Sequence, residues 1–255
     1  MRVGFAGAGN MAAAIARGWH AGEGGAAEML FTDAGSGAAA RLAEEVGGRA
    51  VAGNAELAAQ SDLVILAVKP AQLEAVAAEL GGATRVLSLL AATPLDRLQA
   101  ALPSAAIIRA MPNVGVEVRR GVICLAAPDD AKDLLRQVTE LLAPLGEVIR
   151  IEDRGMDAAT AVMSCSPAYV ALIAETLAEA GAREGLDERL SYELVVETLA
   201  GTAELLRKHD PLNVRRAVTS PGGSTAAGLA ALDRGGARAS FEDAVQASLQ
   251  KMRTA

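Results

Sequence analysis

The sequence predicts an α/β fold in which a doubly wound parallel sheet is followed by an all-helical region. Through the first half, short apolar runs alternate with segments of helical spacing, which is typical of parallel strands joined by crossover helices. The right-handed crossover rule then places helices on both faces of the sheet. Near Asp153 the alternation stops, and only helical spacing recurs. We therefore expect a sheet domain over residues 1–152 and a helical domain over residues 153–255.

Each element of the first half follows from an apolar run or an apolar face. Strands are expected at residues 2–6, 29–32, 50–51, 63–68, 86–90, 106–109, 122–125 and 147–151. Helices are expected at residues 11–19, 38–45, 71–80, 94–101 and 131–142.

The second half is predicted to contain apolar helices that need a covering partner. They are expected at residues 156–163, 168–184, 190–208, 224–232 and 240–252. Several are rich in alanine and apolar on more than one face, so they must pack against other surfaces. We expect them to be buried in the interface of an oligomer; a monomer with a compact helical bundle is the alternative.

Composition and charge exclude several classes of protein. The chain has 255 residues, of which 51% are hydrophobic and 22% charged, which is typical of a packed globular protein. Its formal net charge of −7, without a basic stripe, disfavours nucleic-acid binding. Cys124 and Cys165 are too few for a disulfide framework, which favours a reducing compartment. Because His20 and His209 are the only histidines, no metal site is expected.

The continuous apolar runs are too short to span a membrane. The run at residues 63–68 is far below the ~20 residues that a spanning helix needs. No basic leader, long apolar stretch or cleavage site precedes the first expected strand, so a signal peptide is not expected. These features predict a cytoplasmic protein without membrane contact.

A glycine-rich turn joins the first expected strand to the first expected helix. It reads Gly7-Ala8-Gly9-Asn10-Met11-Ala12, which fits the pattern Gly-x-Gly-x-x-Ala. The first glycine permits a tight turn, the second lets the backbone approach a pyrophosphate, and Ala12 lets the helix pack closely on the strand. The helix N-terminus would add N–H donors for the phosphates. The turn predicts a dinucleotide-binding domain; a tight turn without a ligand is the alternative.

Asp33 follows the second expected strand, where dinucleotide-binding sheets often carry an acidic residue. One interpretation is that its carboxylate binds the ribose hydroxyls of NAD, which would favour NADH. The other is that it caps the following helix. If Asp33 turned away from the ribose, Ser36 and Arg41 could serve the 2′-phosphate of NADP.

Two further segments follow expected strands, at the sheet edge where ligands bind in doubly wound folds. Lys69 and Pro70 close the strongest strand, so Lys69 is expected to line the cofactor cleft; a solvated lysine is the alternative. Residues 109–113 are interpreted as a turn, stiffened by Pro112, and not as a site.

The most distinctive segment of the helical half is Ser220-Pro221-Gly222-Gly223-Ser224-Thr225. Pro-Gly-Gly imposes an unusual backbone before Ser224 and Thr225 open a helix, which exposes N–H groups that can hold a carboxylate. The Thr225 hydroxyl would be a neutral donor there. An ordinary capped helix start is the alternative. Cys165 is interpreted as a structural thiol, because no histidine lies near it in the sequence.

Five segments together resemble one known family. In chain order they are Gly7-Ala8-Gly9-Asn10-Met11, Ala67-Val68-Lys69-Pro70, Arg109-Ala110-Met111-Pro112-Asn113, Ser166-Pro167-Ala168-Tyr169-Val170 and Thr219-Ser220-Pro221-Gly222-Gly223-Ser224-Thr225. They look like those of pyrroline-5-carboxylate reductase. The resemblance implies a Rossmann-type domain followed by a helical dimerisation domain, in a homodimer or a ring of dimers. It also implies reduction of 1-pyrroline-5-carboxylate to L-proline by NADPH or NADH, the last step of proline biosynthesis.

The resemblance implies roles for individual residues as well. The cofactor phosphates would be held by Gly7, Ala8, Gly9, Asn10 and Met11. Asn54 would lie near the adenosine, and the nicotinamide side would be lined by Val68, Lys69 and Ala91. Substrate would be bound by Ser224 and Thr225, in the loop that also contains Ser220, Gly222 and Gly223. Thr225 is the candidate catalytic residue, bonding the ring nitrogen or the carboxylate.

The chain departs from the family pattern around the expected pockets. Residues 164–169 lack the glycines of the usual Ser-Gly-Ser-Gly-Pro-Ala-Tyr run, and Ala92 replaces a glycine. Val114 and Ala217 replace a threonine and an asparagine. Two alternatives therefore stay open: a related reductase for another imine or a small acid, and a non-catalytic dinucleotide-binding module.

Overall fold

The computed structural model describes residues 1–254, which form two compact units. The first contains Met1–Cys165 and the C-terminal residues from Ser248 onward, and the second contains Ser166–Ala247. All the strands lie in the first unit, and the second unit is helical.

The first unit is built on one sheet. Its strands are β1 (Arg2–Ala6), β2 (Glu28–Thr32), β3 (Arg49–Ala50), β4 (Leu63–Leu66), β5 (Arg85–Ser88), β6 (Ala106–Pro112), β7 (Gly121–Ala126) and β8 (Gly146–Arg150). The eight strands lie in the order β3-β2-β1-β4-β5-β6-β7-β8. All of β4 is buried, because its apolar run is covered on both faces of the sheet. The order reverses between β1 and β4, and that switch positions the candidate site.

Helices cover both faces of the sheet. They are α1 (Asn10–His20), α2 (Ala38–Val46), α3 (Asn54–Gln60), α4 (Leu73–Glu79), α5 (Leu95–Ala101), α6 (Lys132–Leu142) and α7 (Met156–Ala159). One buried cluster contains Phe5, Trp19 and Phe31, and another contains Leu30 and Leu66. Because Leu30 and Phe31 are neighbours on β2 and side chains alternate along a strand, the clusters lie on opposite faces. The doubly wound fold class is confirmed.

One pair of strands departs from the predicted parallel sheet. β6 and β7 are antiparallel, whereas the other neighbouring strands are parallel. Residues 113–120 between them contain only a short 3₁₀ helix, Val114–Val118. This connection is too short for the crossover of a dozen or more residues that a parallel pair requires.

Residues 109–113 are not the turn that the sequence predicted. Pro112 is the last residue of β6, so the strand continues to that point. The reversal begins only at Asn113, whose side-chain oxygen accepts hydrogen bonds from the N–H groups of Gly115 (3.2 Å) and Val122 (3.1 Å). The amide of Asn113 thus fixes the start of the hairpin.

The prediction differs from the structure at two helices and at one strand end. α3 and the helix at Pro211–Ala217, of seven residues each, were not predicted. The strand expected at residues 63–68 ends at Leu66, because Pro70–Gln72 already form a 3₁₀ turn. Lys69 therefore lies in a loop after β4.

The second unit is helical. Its helices are α8 (Ser166–Arg183), α9 (Glu188–Lys208), α10 (Pro211–Ala217), α11 (Ser224–Arg234) and α12 (Ala237–Arg253), whose last residues belong to the first unit. α8 and α9 pack closely because Gly181 leaves room for Ser191. The Ser191 hydroxyl donates a hydrogen bond to the carbonyl oxygen of Ala178 at 2.8 Å.

α8 and α9 expose large apolar side chains. They include Val170, Leu172, Leu177, Leu190, Tyr192 and Leu194. Apolar surface of this extent is typical of a face that a partner covers.

The stretch Asp153–Arg183 is also long and apolar enough to cross a membrane, and only 11% of its most apolar window is buried. Its apolar residues do not form one continuous run, because Ser164 and Ser166 interrupt them. A single helix of this kind is weak evidence for a membrane span, since a helix covered by a protein partner meets the same criterion.

Candidate active site

The loops expected to bind the cofactor meet at the carboxyl edge of the sheet. β1, β2, β4 and β5 are parallel, so the loops that follow them lie at the same edge. Gly7 follows β1, Asp33 follows β2, and Val68 follows β4. The strand order switches between β1 and β4, and open α/β sheets bind ligands in the crevice outside such a switch.

Gly7 and Gly9 shape a cradle at the start of α1. Gly7 has a φ of +104°, and a Cβ there would lie 2.6 Å from the carbonyl oxygen of Ala67. Only glycine fits this close approach to the chain after β4. Gly9 precedes α1 without a side-chain cap, and a Cβ there would meet no atom within 4 Å. Free N–H groups at the helix start thus lie beside open space, which fits a pyrophosphate.

Replacing Gly9 with valine is expected to weaken dinucleotide binding without unfolding the protein. The φ of −79° at Gly9 is accessible to any residue and the added side chain meets no protein atom, so the free energy of unfolding should change by less than about 0.5 kcal/mol. The side chain would occupy the space that suits a phosphate, so the Kd of NADP+ should rise at least ~10-fold. Urea unfolding and calorimetric titration measure the two effects.

Gly7→Val is the contrasting variant, since it places a side chain against Ala67 and should lower stability as well as binding. An unchanged Kd in Gly9→Val would show that the phosphates bind elsewhere.

A cleft of about 520 Å³ extends from the glycine turn along α1. Ala8, Gly9 and Asn10 line the cleft, and so does Arg41 of α2. Met11 does not line the cleft, and its side chain, like that of Ala8, packs partly against a buried cluster of the first unit. The turn and α2 thus share one solvent-accessible groove.

Asp33 is engaged by the loop that precedes α2. Its carboxylate accepts hydrogen bonds from the N–H groups of Gly35 (2.8 Å) and Ala39 (2.9 Å) and from the hydroxyl of Ser36 (2.9 Å). These bonds, that of Ala39 foremost, lower the pKa of Asp33. Their stabilisation is therefore complete above the unfolded pKa of about 3.9 and is lost as the pH falls through the lowered folded pKa. The contacts favour the capping interpretation of Asp33.

The remaining cofactor candidates lie around the same edge. Asn54 begins α3, and its side-chain oxygen accepts a hydrogen bond from the Thr32 hydroxyl at 2.7 Å, beside the end of β2. Val68 is half-buried, and Lys69 is exposed. Ala91 is half-buried in the loop after β5. Each of these residues follows a strand end or begins a helix at the carboxyl edge.

Ala92 adopts a left-handed backbone where the family pattern has glycine. Its φ of +51° costs an L-residue about 1–2 kcal/mol. Ala92→Gly should remove this strain, which the larger unfolded-state entropy of glycine offsets in part. We expect a net stabilisation of about 0.5–1 kcal/mol, measured by urea unfolding.

Ala75→Gly is the control for Ala92→Gly. It alters an exposed position inside α4 and should destabilise by about 1 kcal/mol. A loss of stability in Ala92→Gly would contradict the strain at that position.

A buried ionic cluster lies next to the loop that follows β5. Arg109 on β6 is 2% exposed, and its guanidinium contacts Asp153 at 2.9 Å and Asp157 at 3.1 Å. Asp153 also accepts a hydrogen bond from the N–H of Leu95, at the start of α5 (3.0 Å). Arg109 is in register with Ser88, the last residue of β5. The cluster therefore ties β6 to α5 and to the segment that enters α7, and the sequence analysis missed it.

The second unit holds the candidate substrate loop. Gly222 has a φ of +74°, which favours glycine, and a Cβ at Gly223 would lie 2.4 Å from the Ser220 hydroxyl oxygen, which would have to rotate away. Gly223 precedes α11 without a side-chain cap, which leaves the first N–H groups available. Ser224 and Thr225 are exposed there. Hydroxyl and N–H donors at one helix start suit a carboxylate ligand.

The two cysteines differ in their burial. Burial raises the pKa of the Cys124 thiol, which keeps it protonated. Cys165 is half-buried and forms no disulfide. Among residues 1–254, no group of three His, Cys, Asp or Glu side chains is arranged to hold a metal ion.

Matches to known proteins cover most of the chain. The family model described as pyrroline-5-carboxylate reductase dimerisation matches residues 153–255, and the one described as NADP oxidoreductase coenzyme F420-dependent matches residues 2–91. A pyrroline-5-carboxylate reductase from Synechocystis sp. is 40% identical over 78% of this chain and 76% of its own.

Two more distant relatives match over nearly the full length. A pyrroline-5-carboxylate reductase from Pseudomonas aeruginosa is 33% identical over 98% of this chain and 95% of its own. The crystal structure of Plasmodium falciparum pyrroline carboxylate reductase with NADP bound matches with a TM-score of 0.89 and 26% identity, over 100% of this chain and 97% of that one. On these matches, the chain belongs to the pyrroline-5-carboxylate reductase family.

Proposed function

We propose that this protein reduces 1-pyrroline-5-carboxylate to L-proline with a nicotinamide dinucleotide, as the last step of proline biosynthesis. The proposal rests on the open space beside Gly9, which lies where the strand order switches between β1 and β4. It also rests on the 40% identity to a pyrroline-5-carboxylate reductase from Synechocystis sp.. The dinucleotide supplies the hydride when bound. The protein's own task is to bind and orient the reactants.

Residues of the first unit are assigned to the cofactor. The phosphates would be held by Gly7, Ala8, Gly9 and Asn10, where N–H groups at the start of α1 adjoin open space. We assign Asn54 to the adenosine side, and we assign Val68, Lys69 and Ala91 to the nicotinamide side. The position of these residues at the carboxyl edge of the sheet supports the assignment.

Residues of the second unit are assigned to the substrate. The N–H groups at the start of α11 and the hydroxyls of Ser220 and Ser224 would bind the substrate carboxylate. The Thr225 hydroxyl would orient the ring nitrogen. When the imine carbon takes a hydride, the C=N bond becomes CH–NH, so the nitrogen must hold or gain one proton. A threonine hydroxyl is a poor acid near neutral pH, so a protonated iminium or solvent supplies that proton.

The apolar faces of α8 and α9 are assigned to contacts between subunits. We propose a homodimer or a ring of dimers, supported by the exposed apolar side chains and by the dimerisation model that matches residues 153–255. That match begins where we place the boundary between a dinucleotide-binding domain (1–152) and a substrate and dimerisation domain (153–255). We also propose that the protein is cytoplasmic, in line with its free cysteines.

A paired turnover assay tests the proposed reaction. NADPH and NADH consumption would be followed with 1-pyrroline-5-carboxylate, with a six-membered cyclic imine and with a small 2-keto acid. We expect consumption that depends on 1-pyrroline-5-carboxylate. Turnover of only another substrate would identify a related reductase, and cofactor binding without any turnover would identify a non-catalytic module.

A further inference from the structure

We infer that Arg41 makes this protein selective for NADPH over NADH by binding the 2′-phosphate of the adenosine ribose. The inference rests on the proposed use of a nicotinamide dinucleotide. Arg41 lies on α2. If Asp33 bound the ribose hydroxyls, the protein would favour NADH; binding of the 2′-phosphate by Arg41 would favour NADPH instead.

The carboxylate of Asp33 is committed to its own loop. One of its oxygens accepts from both the Ser36 hydroxyl and the Ala39 N–H, and the other accepts from the Gly35 N–H. A ribose diol would have to compete with these three donors. The oxygens of Asp33 are thus held by its own loop and are not both open to a ribose diol.

Arg41 has the opposite character, because its charge is not paired. It is exposed, and its guanidinium donates one hydrogen bond, to the carbonyl oxygen of Ser36 at 3.3 Å. Among residues 1–254, no carboxylate lies within 4 Å of the Arg41 guanidinium. The side chain therefore retains donors for an added anion.

The position of Arg41 connects it to the expected phosphate site. It lines the same cleft as Ala8, Gly9 and Asn10 of the glycine turn. A dinucleotide that places its pyrophosphate at this turn extends its adenosine ribose toward the loop after β2. That loop ends at Gly37, the residue that precedes α2. Among the described residues, the N–H groups of Ser36 and Gly37 have no backbone or side-chain acceptor, so they are free to assist.

A second arginine in the cleft shows why Arg41 is singled out. Arg17 also lines the cleft, but its guanidinium contacts Glu45 at 2.6 Å and Glu117 at 3.5 Å. Its charge is balanced by two carboxylates. The charge of Arg41, in contrast, is not paired with a carboxylate.

Direct binding of NADP+ and NAD+ to the full-length protein tests the inference without turnover. Isothermal titration at fixed ionic strength should show that the protein binds NADP+ at least ~10-fold more tightly than NAD+, as one charge-assisted contact provides. Arg41→Ala should raise the Kd of NADP+ by ~10–100-fold and that of NAD+ by less than about threefold. Arg41→Lys should restore part of the loss, because it keeps the charge without the planar fork.

Arg136→Gln removes the same charge from an exposed position on α6 that does not line the cleft, and should change either Kd by less than about threefold. Equal affinity for NADP+ and NAD+ in the unaltered protein would overturn the inference. So would an equal loss of both in Arg41→Ala, or a loss of NADP+ binding in Arg136→Gln as large as in Arg41→Ala. Turnover of 1-pyrroline-5-carboxylate is measured separately, so selective NADP+ binding without turnover would refute the proposed reaction and leave the role of Arg41 intact.

Discussion

Replacing Thr225 with alanine is expected to lower kcat/KM for 1-pyrroline-5-carboxylate by ~10²–10³-fold, the scale of losing one positioned donor in an active site. The hydroxyl lies at the start of α11, after the glycine turn that fixes the backbone there. Its assigned role is to orient the ring nitrogen, so the loss should appear in kcat more than in KM. Steady-state kinetics with saturating NADPH measures both.

Two variants separate this role from a general loss of structure. Thr225→Ser keeps the hydroxyl and should retain most of the activity. Thr139→Ala removes a hydroxyl that donates only to the carbonyl oxygen of Leu135 on α6, and it should leave kcat/KM within about twofold. A loss below about twofold in Thr225→Ala would remove Thr225 from the site.

Arg109→Met is expected to cost about 3 kcal/mol of stability, the lower end of the range for breaking a buried ion pair, because its two carboxylate partners are partly exposed. Arg109 is 2% exposed and contacts Asp153 and Asp157, so its removal leaves two carboxylates without their cation in a partly buried setting. The midpoint of urea unfolding should fall accordingly.

The triple variant R109M/D153N/D157N distinguishes lost charge balance from lost packing. It removes all three charges together and should recover at least half of the lost stability, because no unpaired carboxylate remains. The D153N change keeps a side-chain oxygen that can accept from the N–H of Leu95. If R109M alone had no effect, the cluster would not stabilise the fold.

The parts of the site that the sequence could predict are those encoded by neighbouring residues. Gly7 and Gly9 are two residues apart between an apolar run and a helical pattern, and the backbone demands of that turn are local. The same holds for Gly222 and Gly223 before α11. The doubly wound fold was predictable for the same reason, because its strands and helices are encoded by runs of neighbouring residues.

The parts that could not be predicted depend on residues distant in the chain. Arg109 meets its partners across 44 and 48 positions. The only sequence signal is the charge of Arg109, where the strand predicted at residues 106–109 meets the turn predicted at residues 109–113. Asp33 had two equally supported interpretations, because ribose binding and capping require the same residue at the same place. Only the geometry of the hydrogen bonds favours capping.

In the proposed reaction, hydride passes from the nicotinamide to the imine carbon of 1-pyrroline-5-carboxylate. Incubation with NADPH carrying deuterium at the transferable position of the nicotinamide, followed by mass spectrometry and NMR, traces this transfer. We expect L-proline with one deuterium, on the ring carbon next to nitrogen that does not bear the carboxylate. Oxidation of the cofactor without labelled proline, or no reaction with either nicotinamide, would refute the transfer.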